Sequence, residues 1–187
     1  MMKAEVQKVM KDLEKIRREE DNPFWNVSPE TGKFLYMMVK ATGAKKVLEI
    51  GTSNGYSGLW LGAALLENGG ELLTIESFIH RFNKAKENFK KAGLEGVVRQ
   101  VLGHAPEVFE DITDSFDFAF FDATKAEHIS YLEAVLPKLK DDGVIIVDNV
   151  ISHKEQLKEF FKYVDSLDVV TSTKIPIGMG LLMITKG

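Results

Sequence analysis

Cysteine is absent from the 187 residues. That excludes disulfides, thiolate zinc sites and a thiol nucleophile, and it fits a reducing cytoplasm. No apolar run reaches the ~18 residues of a membrane span. The N-terminus is charged rather than signal-like, so a cytoplasmic protein with no membrane partner is the expectation. Positive charge is not in excess: 24 Lys and Arg against 28 Asp and Glu leave a formal net charge of −4, which gives no general support for nucleic-acid binding. Internal repeats, low-complexity segments and linkers are also missing. What remains is 44% hydrophobic and 28% charged, the composition of an ordinary globular protein of about one domain's length.

The chain is organised around VLEIGTSNGYSG, residues 47 to 58. Val47, Leu48 and Ile50 form a short apolar run with an acid, Glu49, inside it. Gly51, Gly55 and Gly58 follow, and Leu59 to Leu65 continue as a mostly apolar helical stretch. The pattern is that of a buried strand, a glycine-rich turn and a helix. Such a turn lets backbone approach a ligand, and the helix N-terminus offers it free N–H donors. The spacing is not the G-x-G-x-x-G of dinucleotide sites, and no Lys follows Gly55 or Gly58 as a phosphate-cradling loop requires. The carboxylate of Glu49 would repel a pyrophosphate but suits an ammonium or sulfonium.

Ahead of this stretch, Val6, Val9, Met10, Leu13 and Ile16 lie at helical spacing within residues 3 to 20. They predict an amphipathic helix packed on the domain or on a partner chain, ended by Asp21-Asn22-Pro23. Ser28 with Pro29 predicts the start of a second helix. Phe24-Trp25-Asn26 is expected to pack as core, with overhang of a ligand pocket as the alternative. Beyond the turn come a strand at 72–76, a helix from a Ser77 cap to about Ala92, a strand at 97–102 and a short helix at 106–111. A strand at 116–121, a helix at 127–139 ended near Gly143, a strand at 144–147 and a helix at 153–165 follow. Two last strands, at 169–174 and 181–185, read as a hairpin. Alternating strands and helices with continuous apolar runs predict a mostly parallel α/β sheet covered on both faces. One domain is expected, with residues 1–27 as a helical extension and 28–187 as the core.

Acids close four of these strands or interrupt them near the end: Glu49, Glu76, Asp122 and Asp148. In sheets of this kind ligands sit beyond the carboxyl ends of the strands. Glu76 there can accept the two hydroxyls of a ribose, or it can simply favour the next helix dipole. Asp122, Asp148 and Asn149 are hard oxygen donors that suit Mg2+, although strand-end acids also cap loops and helices. Lys125 falls three residues after Asp122, as a base or as a surface lysine. His128 and His153 lie nearby and are expected to be dispensable.

These residues carry a resemblance. The strand-E-I-G-T-x-x-G-Y-S run is similar to motif I of class I S-adenosylmethionine-dependent methyltransferases. More narrowly, Asp122-Ala123-Thr124-Lys125 with Asp148-Asn149 resembles the D-A-x-K and D-N pair of the cation-dependent O-methyltransferases, the catechol and caffeoyl-CoA type. The likeness runs from about Ser28 to Gly187. It implies a Rossmann-like class I methyltransferase fold with strand order 3-2-1-4-5-7-6, the last strand reversed. It also implies S-adenosylmethionine and Mg2+ as cofactors, methyl transfer to a hydroxyl of a small, catechol-like acceptor, and Lys125 as general base. Donor contacts fall on Glu49, Gly51, Thr52, Ser53, Gly55, Tyr56 and Ser57, on Glu76 and Ser77, on His104 and Ala105, and on Asp122. Metal ligands are Asp122, Asp148 and Asn149. Two positions depart from the family: Thr124 stands where Asp is frequent, and His104 where an Asp faces the adenine. The chain between Asn149 and the next helix is also short, which opens the acceptor side. The alternatives are a tRNA modified-nucleoside methyltransferase, a nucleotide- or NAD-dependent oxidoreductase, and a non-catalytic S-adenosylmethionine-binding module. A homodimer through the N-terminal helix is a further expectation.

Overall fold

The structure, a computed structural model, describes residues 2–17 and 24–187. Seven strands form one sheet: β1 (Lys46–Ile50), β2 (Glu71–Glu76), β3 (Val98–Leu102), β4 (Phe116–Phe121), β5 (Leu139–Val147), β6 (Val170–Ile175) and β7 (Leu181–Lys186). Their order is β3-β2-β1-β4-β5-β7-β6, as the resemblance implied. From β3 through β5 all pairings are parallel, and β7 runs antiparallel to both β5 and β6.

Helices cover both faces because the central strands are apolar on both sides. In β4, Phe118 and Phe120 face one layer while Ala119 and Phe121 face the other. The first layer is built from α1 (Ala4–Arg17), α2 (Pro29–Thr42), α3 (Tyr56–Asn68) and α4 (Ile79–Lys91). The second comes from α5 (Ala105–Val108), α6 (His128–Val135) and α7 (Lys158–Asp165). Each fully buried Leu, Ile or Phe contributes about 1.5–3 kcal/mol of apolar burial, which is why the strand runs tolerate so little polar character. The amphipathic α1 docks on the domain: Val6, Val9, Met10 and Leu13 join the first layer's core, and the Tyr56 hydroxyl donates to Glu14 Oε1 at 2.8 Å. The expected stop at Asp21-Asn22-Pro23 lies outside the described residues. No helix among the described residues is long and apolar enough to cross a membrane.

The Ser28 cap is formed, its Oγ accepting from the Thr31 amide at 3.1 Å with Pro29 at the first helical position. Three expectations are corrected. Ser77 does not cap α4. The helix starts at Ile79 with no side-chain cap, because the Glu76 carboxylate takes the Phe78 amide at 2.9 Å instead. β5 begins at Leu139, which pairs with Phe116. Lys140-Asp141-Asp142-Gly143 then bulges out of the ladder, with Asp142 at φ +62°, and pairing with β4 resumes at Val144 opposite Phe118. Gly143 thus lies inside a bulged strand rather than stopping a helix. Finally, α7 starts at Lys158 and not at 153, residues 151–157 forming successive turns.

Candidate active site at the strand tips

The parallel ladder runs one residue past each central strand. Gly51 and Thr52 amides donate to the Ile75 carbonyl, Asp122 N to Ile50 O, Asp148 N to Phe121 O and Gly103 N to Glu76 O, all at 2.9–3.2 Å. These bonds bring five loops to one rim. Together they enclose a cavity of about 820 Å3, within the usual size range of ligand sites. Gly51 is required at the centre of the rim: its φ is +102°, and a Cβ there would lie 2.3 Å from the Asp122 carbonyl oxygen. The glycine turn and the Asp122 loop are thus in backbone contact.

Along one wall stand Asp122, Lys125, Asp148 and Asn149, all lining the cavity. Lys125 Nζ is 3.1 Å from Asp122 Oδ1, with both side chains mostly shielded from solvent. Asp148 is buried, and its Oδ1 accepts the Asn149 amide at 2.7 Å. Burial, and then the neighbouring charge of Asp122, push its carboxyl up to about 7. Asn149 holds a left-handed φ of +66°, which asparagine tolerates better than most residues. Among the described residues no group of three or more His, Cys, Asp or Glu is arranged to hold a metal; the donor set here is two carboxylates and one amide oxygen.

Glu76 also lines the cavity. Its Oε2 accepts the Ser53 amide at 2.8 Å and its Oε1 the Phe78 amide at 2.9 Å. That fixes the carboxylate while leaving further lone pairs directed to the cavity. His104 sits beside it, its Nε2 3.0 Å from both oxygens of Glu127, whose carboxylate also accepts the Tyr131 hydroxyl at 2.5 Å. The hydrogen bond to Glu127 holds the His104 imidazole above its ordinary pKa.

Glu49 is elsewhere. Its side chain is fully buried on the α3 side of β1, accepting from Ser57 Oγ at 2.5 Å and Thr74 Oγ1 at 2.6 Å. Thr74 Oγ1 is 2.5 Å from Thr52 Oγ1. Burial raises the Glu49 carboxyl to about 7 despite the two hydroxyl donors, with the charges of Asp122 and Glu76 adding to the rise.

Of the residues singled out in the sequence, the cavity gathers Gly51, Ser53, Glu76, Ser77, His104, Ala105, Asp122, Lys125, Asp148 and Asn149. Thr52, Tyr56 and Ser57 line a smaller pocket of about 20 Å3 that shares Gly51, Ser53 and Asp122 with it. Glu49 and Gly55 line neither: Gly55 turns into α3 with φ +88° against Phe89. The core expectation for Phe24-Trp25-Asn26 is overturned. All three line the cavity, and Trp25 is 79% exposed with φ +47°. The segment is held over the site by Ser53 Oγ donating to the Phe24 carbonyl at 2.9 Å. Arg81 lies 5.7 Å from the Trp25 ring centroid and 5.1 Å from that of Phe78. Phe78, Arg81, Gln156 and Met179 also line the cavity and went unnoticed in the sequence; only the position of Phe78 and Arg81 just after Glu76 could have marked them. His153 reaches the rim, whereas His128 is buried behind it.

Known proteins share this architecture. A catechol O-methyltransferase of Niastella koreensis is 36% identical over 141 residues, 73% of this chain and 63% of that protein. A caffeoyl-CoA O-methyltransferase of Stellaria longipes is 29% identical over 148 residues, 76% of this chain and 61% of that protein. The chain therefore spans less than two thirds of the length of these curated relatives. Among solved structures, an O-methyltransferase from Bacillus cereus in complex with SAH superposes with a TM-score of 0.83 at 26% identity, covering 99% of this chain and 91% of that one. The O-methyltransferase TomG from Streptomyces achromogenes in complex with SAM gives 0.85 at 26% identity, covering 100% and 91%. The family model described as O-methyltransferase matches residues 2–186, and this chain belongs to the O-methyltransferase family.

Proposed function

We propose that this chain moves the methyl group of S-adenosylmethionine to a hydroxyl oxygen of a small, catechol-like acceptor. The observation that carries the reading is that one cavity is lined both by the glycine turn with Glu76 and by Asp122, Lys125, Asp148 and Asn149. The solved relatives that hold SAM and SAH support the choice of donor. The sulfonium already activates its methyl group, so the protein's task is to hold donor and acceptor in line. The backbone around Gly51 and Ser53 admits the methionine part, Glu76 takes the ribose hydroxyls, and Trp25 covers the site from solvent. Lys125, in its uncharged amine form, takes the acceptor's proton at Nζ and becomes the ammonium that pairs with the Asp122 carboxylate.

The strand-tip donors also fit a divalent cation. Burial raises the Asp148 carboxyl first and the charge of Asp122 raises it further, and a cation between the two carboxylates would relieve that repulsion. Two carboxylates and an amide oxygen leave positions for water, as Mg2+ prefers. Asp122, Asp148 and Asn149 would hold the ion, and it would supply Lewis-acid stabilisation of the deprotonated acceptor oxygen. Lys125→Ala and Asp148→Ala should each lower methyl transfer to a catechol by roughly 100-fold or more, with SAH affinity nearly unchanged by calorimetry. A Lys125→Ala variant at the wild-type rate refutes the base, undiminished transfer in excess chelator refutes the metal, and absence of SAH binding refutes the whole reading. Assay of tRNA beside the catechol tests the class of acceptor.

A further inference from the structure

β4 hands over to the loop bearing Asp122 and Lys125, and that loop hands over to α6, whose first residue is His128. The His128 ring is wholly buried, packed against Phe121, Tyr131 and Phe160 with centroids 5.5–6.4 Å away. Its Nδ1 lies 3.0 Å from the Thr124 carbonyl oxygen. A carbonyl only accepts, so the ring proton sits on Nδ1. Burial, reinforced by the charge of Lys125, lowers the imidazole to about 4, and the ring is neutral. Nε2 is then a bare lone pair, enclosed and without a hydrogen-bond partner among the described residues.

An enclosed acceptor left unpaired costs its desolvation. A phenyl ring would fill the same aromatic niche without that cost, so packing gives no reason for an imidazole here. The reason lies in the one bond the ring makes. The Thr124 carbonyl also receives the Glu127 amide, from within the same tight turn. The His128 Nδ1–H ties the carbonyl side of that turn to the aromatic packing between α6 and α7, while the Tyr131 hydroxyl holds its other end by donating to Glu127. We infer that His128 is a positioning residue: by donating to Thr124 O it holds the Asp122–Lys125 loop so that Lys125 Nζ and the Asp122 carboxylate stay aimed into the cavity. His128 serves catalysis only if Lys125 acts as proposed above, whereas the loop is held either way.

The test compares His128→Phe with His128→Asn, whose amide nitrogen can donate from the Nδ1 position. The Phe variant is expected to melt at or above the wild-type temperature. Its kcat with a catechol should fall by roughly tenfold or more, its KM for the donor should stay unchanged, and its amides from 123 to 127 should exchange faster with deuterium. The Asn variant should restore both kcat and slow exchange. If the Phe variant folds poorly, His128→Leu replaces it in the same comparison. Wild-type kcat and wild-type exchange in the Phe or Leu variant overturn the inference, as does an Asn variant as impaired as they are. If the wild-type chain transfers no methyl group at all, the proposed function falls, and the exchange data alone decide the role of His128.

Discussion

Replacing Glu49 by Gln should change how stability depends on pH, by an amount the structure sets. Glu49 is completely enclosed, and its carboxyl is raised from an ordinary 4.5 to about 7, first by burial and then by the charges of Asp122 and Glu76. An acid whose pKa is raised on folding binds its proton more tightly in the native state. Its contribution to stability is full below 4.5, shrinks as pH rises, and is gone above about 7. At about 1.4 kcal/mol per tenfold change in ionisation constant, the rise amounts to roughly 3 kcal/mol. Gln mimics the protonated acid, keeping one acceptor for Ser57 or Thr74 and one donor for the other. Urea unfolding near pH 4 should therefore find the two proteins similar, while near pH 8 the Gln variant should be more stable by about 3 kcal/mol. Taking the difference between them cancels the other titrating groups common to both. A difference that stays flat across this range would refute the reasoning, for it would mean that the Ser57 and Thr74 hydroxyls keep Glu49 ionised against its burial.

Other perturbations follow from the same geometry. Gly51→Ala must force both a left-handed backbone and a Cβ 2.3 Å from the Asp122 carbonyl; it should cost roughly 2–5 kcal/mol in urea unfolding and abolish SAH binding by calorimetry. Ser28→Ala removes the α2 cap and should cost about 1 kcal/mol, lowering the melting temperature by roughly 2–4 °C. Trp25 is far more exposed than Trp60, so SAH binding should shift tryptophan emission to the blue, and a Trp25→Phe variant should lose that shift.

Much of the fold was legible because single strands announced it. The runs Val47–Ile50 and Phe116–Phe121 are apolar enough to be buried on both faces, and each hands over to a glycine or an acid where the ladder ends. The acids of the rim could be named for the same reason: a strand-terminal Asp on neighbouring parallel strands has only one edge to occupy. What stayed hidden depended on partners distant in the chain. Nothing local tells that Glu49 would meet the Thr74 and Ser57 hydroxyls beneath the turn instead of facing a ligand. Trp25 looked like core because a large aromatic usually is, yet the Ser53 bond to Phe24 holds the segment across the opening. β5 reaches back past the turn-like Lys-Asp-Asp-Gly because Leu139 pairs with Phe116 on its far side, the four residues between bulging out of the ladder.

The rim after β5 is stitched to the β6–β7 turn by main-chain atoms: Val150, Ile151 and Ser152 amides donate to the carbonyls of Gly180 and Met179 at 2.9–3.1 Å. Such stitching is indifferent to side-chain identity. His153, Gln156 and Met179, which this seam presents to the cavity, can accordingly be exchanged in combination while Gly180 keeps the seam closed against Ile151. A library randomised at those three sites should yield folded variants that part ways in the acceptors they prefer, each inheriting the same reactive strand tips.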